Sequence, residues 1–164
     1  MGKGNGNTRG SSSGSPRGLN NSGSSLSSIR SQIVQAINTG GADWNNPELV
    51  QLRSQEERTM RDELNALAGT NGWEKGFLNI KKEYDSDSPI TIMDVSVSTY
   101  NSGIENGPYY QVRVGSSKVS SNSNYTDEVN ALWNNDRQFK SAREAVRWAE
   151  SQAARINRKY KGKI

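Results

Sequence analysis

The chain of 164 residues contains neither cysteine nor histidine, and those two absences exclude a good deal of chemistry. No disulfide framework and no thiolate or imidazole zinc site can be built from it. Ser-His, Cys-His and other histidine-based acid–base mechanisms are closed to it, which argues against most hydrolase and nuclease chemistry. Any catalysis would have to rest on Asp, Glu, Lys, Tyr or Ser, so a non-enzymatic protein is the expectation. Hydrophobic residues are also scarce at 31%, against roughly 45–50% for an average domain. No apolar run approaches the ~18–20 residues that a membrane span requires. The first residues, Met1-Gly2-Lys3-Gly4-Asn5-Gly6, lack the apolar core of a secretory signal, and Gly6 stands where a myristoylation pattern wants Ser or Thr. A cytoplasmic protein with no membrane contact and no cofactor is expected.

Charge is present but unevenly placed. The net charge is +4, yet residues 1–30 alone carry +4 with no acid, and residues 139–164 carry +6. The stretch 31–138 between them carries −6. Two basic ends around an acidic middle suit an anionic partner contacted by the termini. Ends that meet only solvent or the acidic middle are the alternative.

Residues 1–25 are nearly all Gly, Ser, Asn and Arg, which cannot bury enough apolar surface to offset ordering, so a flexible basic tail is expected there. A single domain is expected over 26–160, followed by a short basic tail at 161–164. Ser27 or Ser28 is placed to cap a helix carrying Ile29, Ile33, Val34 and Ile37, stopped by Gly40-Gly41. Asn46-Pro47-Glu48 opens a second helix with Leu49, Leu52, Met60, Leu64 and Leu67 along one side. Its centre, Arg53-Ser54-Gln55-Glu56-Glu57-Arg58, is so polar that the helix is expected to be largely solvent-exposed.

Beyond Trp73 the periodicity becomes two. Phe77–Lys81, Ile90–Val97 and Tyr109–Val114 alternate as half-buried strands, the first two separated by the turn residues Asp85-Ser86-Asp87-Ser88-Pro89. Residues 117–120 extend or pair with the third strand, and Asp127–Trp133 is a short helix. Ser141-Ala142-Arg143-Glu144 is a capping box that starts the last helix. On that helix Ala142, Ala145, Val146, Ala149, Ala153, Ile156 and Tyr160 share one face. The expected class is therefore α+β: two N-terminal helices, a three- or four-stranded antiparallel sheet, and a C-terminal amphipathic helix packed on it.

Function is sought first on the opposite face of that last helix. Lys140, Arg143, Arg147, Arg155 and Arg158 lie there with Trp148 at the edge, and Lys159, Lys161 and Lys163 continue the charge. Lys and Arg along one surface suit a phosphate backbone, and Trp148 or Tyr160 could add stacking. An ordinary solvated face whose cations suit the helix dipole is the alternative, and Glu144 interrupts the stripe. The order helix–three strands–helix over 47–158, with Lys140-Ser141-Ala142-Arg143-Glu144-Ala145 at the last helix start, is similar in outline to double-stranded RNA-binding domains. The region is longer than that family's module and lacks the histidine common between its first two strands.

Asp85 and Asp87 form a D-x-D that reads as turn composition and not as a cation site. Glu56-Glu57 and Asp127-Glu128 diverge on their helices, so neither is a catalytic pair. Tyr100, Tyr109, Tyr110, Tyr125 and Trp133 lie near polar loops and suit a recognition surface, while packing is favoured for Trp73, Trp133 and one of Tyr109 and Tyr110. Three readings follow. The first is a nucleic-acid-binding protein, RNA or DNA, using Lys140, Arg143, Arg147, Trp148, Arg155, Arg158 and Lys159. The second binds a protein partner through the acidic middle and aromatic loops, as an inhibitor or an assembly component of a phage or mobile element would. The third, an enzyme working through carboxylates or tyrosine, stands last.

Overall fold

A computed structural model describes residues 25–100 and 103–164. It shows helices α1 (Leu26–Gly40) and α2 (Pro47–Asn65), strands β1 (Glu74–Lys75), β2 (Asn79–Glu83), β3 (Ile92–Ser98) and β4 (Tyr109–Gly115), helix α3 (Ser123–Trp133), strand β5 (Gln138–Phe139) and helix α4 (Ala142–Lys159). The mixed α+β class is as expected, with the antiparallel sheet widened to five strands in the order β1-β2-β3-β4-β5. The two added strands have two residues each and stand at the edges. Helix α3 and strand β5 lie between the third long strand and the last helix, a departure from the simple helix–three strands–helix outline. The expected tail falls outside the described residues except for Ser25. No helix among the described residues is long and apolar enough to cross a membrane.

By packing, the chain divides into two compact units: the described parts of Met1–Thr59 and Tyr100–Gly107, and Met60–Thr99 with Pro108–Ile164. In the first unit, Ile29, Ile33, Ala36, Leu49, Leu52 and Ile104 form the core, with Ile37 against it. The cap of α1 is Ser25, whose hydroxyl accepts from Ser28 N at 3.2 Å, and not Ser27 or Ser28, because Leu26 already belongs to the buried helical face. Val34 is exposed and Ala36 takes its place in the core. The expected solvation of the centre of α2 holds for Ser54 and Arg58 and fails at Glu56. Glu56 is buried between Arg30 and Arg53, at 3.1 and 2.8 Å. Arg53 reaches further to the carbonyls of Ile104 and Glu105. Gly107 permits that approach, since a Cβ there would stand 2.5 Å from Arg53 Nη1. Paired charges can be buried where isolated ones cannot, so a polar run does not by itself imply exposure.

The second unit is built on the sheet. Ile80, Val95 and Val112 stand opposite one another on its buried face. The other face carries Lys81, Asp94 and Arg113 in one row, with signs alternating across the strands. Helix α4 packs on β3, β4 and β5, and α3 on β4. The buried side of α4 is the expected one: Ala142, Ala145, Val146, Ala149, Ala153, Ile156 and then Tyr160. Its cap Ser141 accepts from Glu144 N at 3.4 Å. Buried Trp73 donates from Nε1 to Glu150 of α4 at 3.0 Å, and buried Tyr110 donates to Met60 O at 3.0 Å.

Several local expectations fail here for identifiable reasons. Phe77 and Leu78 are not strand residues. Gly76 N donates to Asn79 O at 2.8 Å, closing a hairpin loop that leaves Phe77 93% exposed. Residues 117–120 form no strand, because Ser117 N is taken by the Thr91 hydroxyl and Lys118 N by that of Ser116. Helix α3 begins four residues early, at Ser123, because Asn122 caps it by accepting from Tyr125 N at 3.2 Å.

Candidate nucleic-acid interface

Helix α4 presents its basic residues where its amphipathic pattern puts them. Lys140, Arg143, Arg147, Arg155, Arg158 and Lys159 are all exposed, and Trp148 is half-buried at the edge. They do not form one uniform stripe. The side chains divide into two chemically different groups at the two ends of the helix.

At the C-terminal end, Glu128 of α3 binds two of the cations. Its carboxylate accepts from Arg155 Nη1 at 2.8 Å, from Lys159 Nζ at 2.9 Å, and from the Tyr160 hydroxyl. These bonds, that of Tyr160 foremost and then those of Arg155 and Lys159, hold the Glu128 carboxyl at about 2. Its partner Lys159 is raised above the ordinary lysine value by the same hydrogen bond. Tyr160, packed edge-on against Tyr125 at 5.3 Å, is therefore a structural residue and not a stacking platform. One carboxylate offsets one of these two charges and fixes the position of both cations, while Arg158, Lys161 and Lys163 stay exposed beyond it.

The N-terminal end is different. Strand β5 pairs Phe139 with Tyr110 and so buries its ring beside the first turn of α4. Trp148 packs against that ring with centroids 5.6 Å apart and planes inclined at 48°. The guanidinium of Arg137 lies 5.2 Å from the Phe139 centroid and 5.5 Å from that of Trp148. Both distances fall within the ~6 Å at which a cation is attracted to a ring face. Arg137, Phe139, Arg143, Glu144, Arg147 and Trp148 border one open groove of about 480 Å³. Arg143 and Arg147 are four residues apart on the helix, hence about 6 Å along its axis, whereas Arg158 lies about 16 Å beyond Arg147.

The structure thus brings Arg143, Arg147 and Trp148 together, leaves Lys140 exposed at the start of the helix, and separates Arg155, Arg158 and Lys159 from them. Arg137 and Phe139 are not expected from the sequence. They lie outside the helical repeat and reach the groove only through the β4–β5 pairing. The aromatic-loop surface is reduced as well, because Tyr110 and Tyr125 are buried. Trp133 packs against Gly115 and is still 40% exposed, with Arg113 5.7 Å from its ring. The carbonyl of Asp85 accepts from Ser88 N in the expected turn, and among the described residues no group of three acidic side chains is placed to hold a metal. Comparison with protein-family models, with characterised proteins and with solved structures finds no match.

Proposed function

We propose that this protein binds nucleic acid in the groove bordered by Arg137, Arg143 and Arg147, with the arginines as its cationic contacts. The observation that carries this reading is three arginines bordering one groove beside an aromatic pair. Guanidinium groups match phosphate geometry, and aromatic rings add a contact that phosphate alone cannot use. The Glu128-bound residues Arg155 and Lys159 contribute less in this reading, because binding phosphate would require them to leave a carboxylate.

The test is a titration of the intact protein with single-stranded and duplex RNA and DNA at two salt concentrations. Binding should weaken with salt, and R137Q/R143Q/R147Q should lower both affinity and the salt slope, by about 0.7–0.9 for each phosphate that is no longer neutralised. R155Q/K159Q should change either one much less. Absence of binding at low salt overturns the proposal. A second reading, a protein partner, draws on the exposed Phe77–Leu78 hairpin tip. A complex retained at high salt and abolished by F77S would favour it.

A further inference from the structure

The two ends of the groove offer a partner different things, and together they point to one form of nucleic acid. We propose that the groove takes a single strand, with an unpaired base stacked against the Arg137–Trp148 platform and the adjoining phosphates met by Arg143 and Arg147. This inference rests on the nucleic-acid reading above and narrows it.

The platform favours an unstacked base. In a duplex the faces of the bases are already stacked on each other, so rings on a protein gain only where a base is unstacked. Here Phe139 is buried and fixed in the β5 ladder, Trp148 is packed on Phe139, and Arg137 lies over both rings. The tryptophan ring and the guanidinium are both planar groups of the kind that stack with bases, and both border the groove. They are held before a partner arrives, so little side-chain freedom is given up on binding.

The extent of positive charge also favours one strand. Reading a duplex by shape requires contacts spread over many base pairs, about 16 in the best-known RNA module. Along α4 the face that carries Arg143 and Arg147 continues through Ser151 and Ala154, which are uncharged, before Arg158. Arg155 and Lys159 are bound by Glu128. The cationic patch at the groove is therefore about one helical turn long, enough for a few successive phosphates of one strand. Glu144 borders the same groove. Its carboxylate repels a run of phosphates and accepts hydrogen bonds from base amino groups, which an unpaired strand leaves available.

The experiment compares a labelled single strand of about 20 nucleotides, the same strand with its central bases removed to leave abasic sugars, and a blunt duplex of about 20 base pairs, longer than the roughly 16 that reading by shape requires. RNA and DNA versions are each titrated with the full chain by fluorescence anisotropy at two salt concentrations. The intact single strand should bind about tenfold or more tightly than either the abasic strand or the duplex. W148A should remove that advantage without altering the salt slope, and W148F should keep most of it. R143Q/R147Q should instead weaken all three ligands and reduce the slope by about one to two. Equal affinity for the intact, abasic and duplex forms overturns the inference, and this comparison uses the unaltered protein and so does not depend on how W148A folds. If binding is equal for all three and still abolished by R143Q/R147Q, the nucleic-acid reading survives and only the single-strand inference fails. If no form binds at low salt, both fail.

Discussion

Arg53 donates from Nη1 to Oε1 of Glu56 at 2.8 Å, and the carboxylate it meets has a side chain only 2% exposed. The two residues stand three apart on α2, so a local helical pair is also a buried one. Arg30 of α1 completes the site from Nε, and Arg53 spends its other donors on the carbonyls of Ile104 and Glu105. One carboxylate therefore ties α1, α2 and the 103–107 segment together.

Removing that carboxylate leaves two guanidinium groups with little water to replace it. E56A should destabilise the protein by about 2–4 kcal/mol, somewhat under the ~3–5 kcal/mol of a fully buried pair because Arg30 is 29% exposed. R53Q should cost more than R30Q, since it also releases two backbone carbonyls. Urea unfolding followed by circular dichroism measures all three. Values within about 0.5 kcal/mol of the parent would mean that the pair contributes nothing.

Asn46 gives a second prediction, because its amide works in both directions. Oδ1 caps α2 by accepting from Leu49 N at 3.3 Å, while Nδ2 donates to Ala36 O at 2.9 Å and Gly41 O at 2.8 Å. Asp is normally as good a cap as Asn. Here N46D would set a carboxylate oxygen against two carbonyl oxygens, depriving Gly41 O of this donor, while Ala36 O keeps the Thr39 hydroxyl at 3.3 Å. It should cost about 2 kcal/mol or more, no less than N46A. A neutral N46D in the same unfolding assay would show that the carbonyls find other donors.

Gly115 owes its identity to a neighbour and not to its backbone. A Cβ there would lie 2.5 Å from Cε3 and 2.8 Å from Cζ3 of Trp133. G115A should therefore cost about 1–3 kcal/mol by overpacking. In a W133A background the same change should be nearly neutral, giving a coupling of at least about 1 kcal/mol between the two sites. Additive effects would remove Trp133 as the cause.

How far the sequence discloses this molecule depends on whether the deciding interaction is local. Helix α4 is legible in full: its cap, its alanine face and its basic face all lie within one repeat. Strands β3 and β4 are legible too, because Met93, Val95 and Val97, and Tyr110, Val112 and Val114, alternate as their burial does, whereas β2 is legible only from Asn79 onward. The edge strands β1 and β5 are not, since two residues carry no period and are strands only by pairing. Helix α3 is partly visible, and Tyr125, Val129 and Leu132 at spacings of four and three, behind the cap Asn122, are the signal that could place its start. For the candidate site the helical arginines are legible and Arg137 with Phe139 is not, because nothing local to them predicts that Phe139 faces Tyr110. The burial of Glu56 is hidden for the same reason: its partner Arg30 is 26 residues away.

Glu128 sets the last prediction, a dependence on pH whose sign is fixed by its bonds. The Tyr160 hydroxyl first, then Arg155 and Lys159, lower its carboxyl from an ordinary 4.5 to about 2. A carboxyl lowered in the folded state contributes stability that is complete above its unfolded value and disappears as pH falls through the folded one. The window is therefore between about 4.5 and 2. Asp94 runs the other way: burial, opposed by the Asn79 hydrogen bond and by Arg113 and Lys81, raises it, so its ionised form costs stability as pH rises. It is common to parent and variant and cancels in their difference. E128Q should accordingly be less stable than the parent at pH 7, by on the order of 1 kcal/mol since these ion pairs are solvent-exposed and screened. That gap should narrow steadily below about pH 4.5, nearly close at about pH 2, and shrink in high salt at neutral pH. Thermal unfolding of both proteins across that range decides it. A gap of equal size at neutral pH and near pH 2 would show that Glu128 acts through packing and not through its charge.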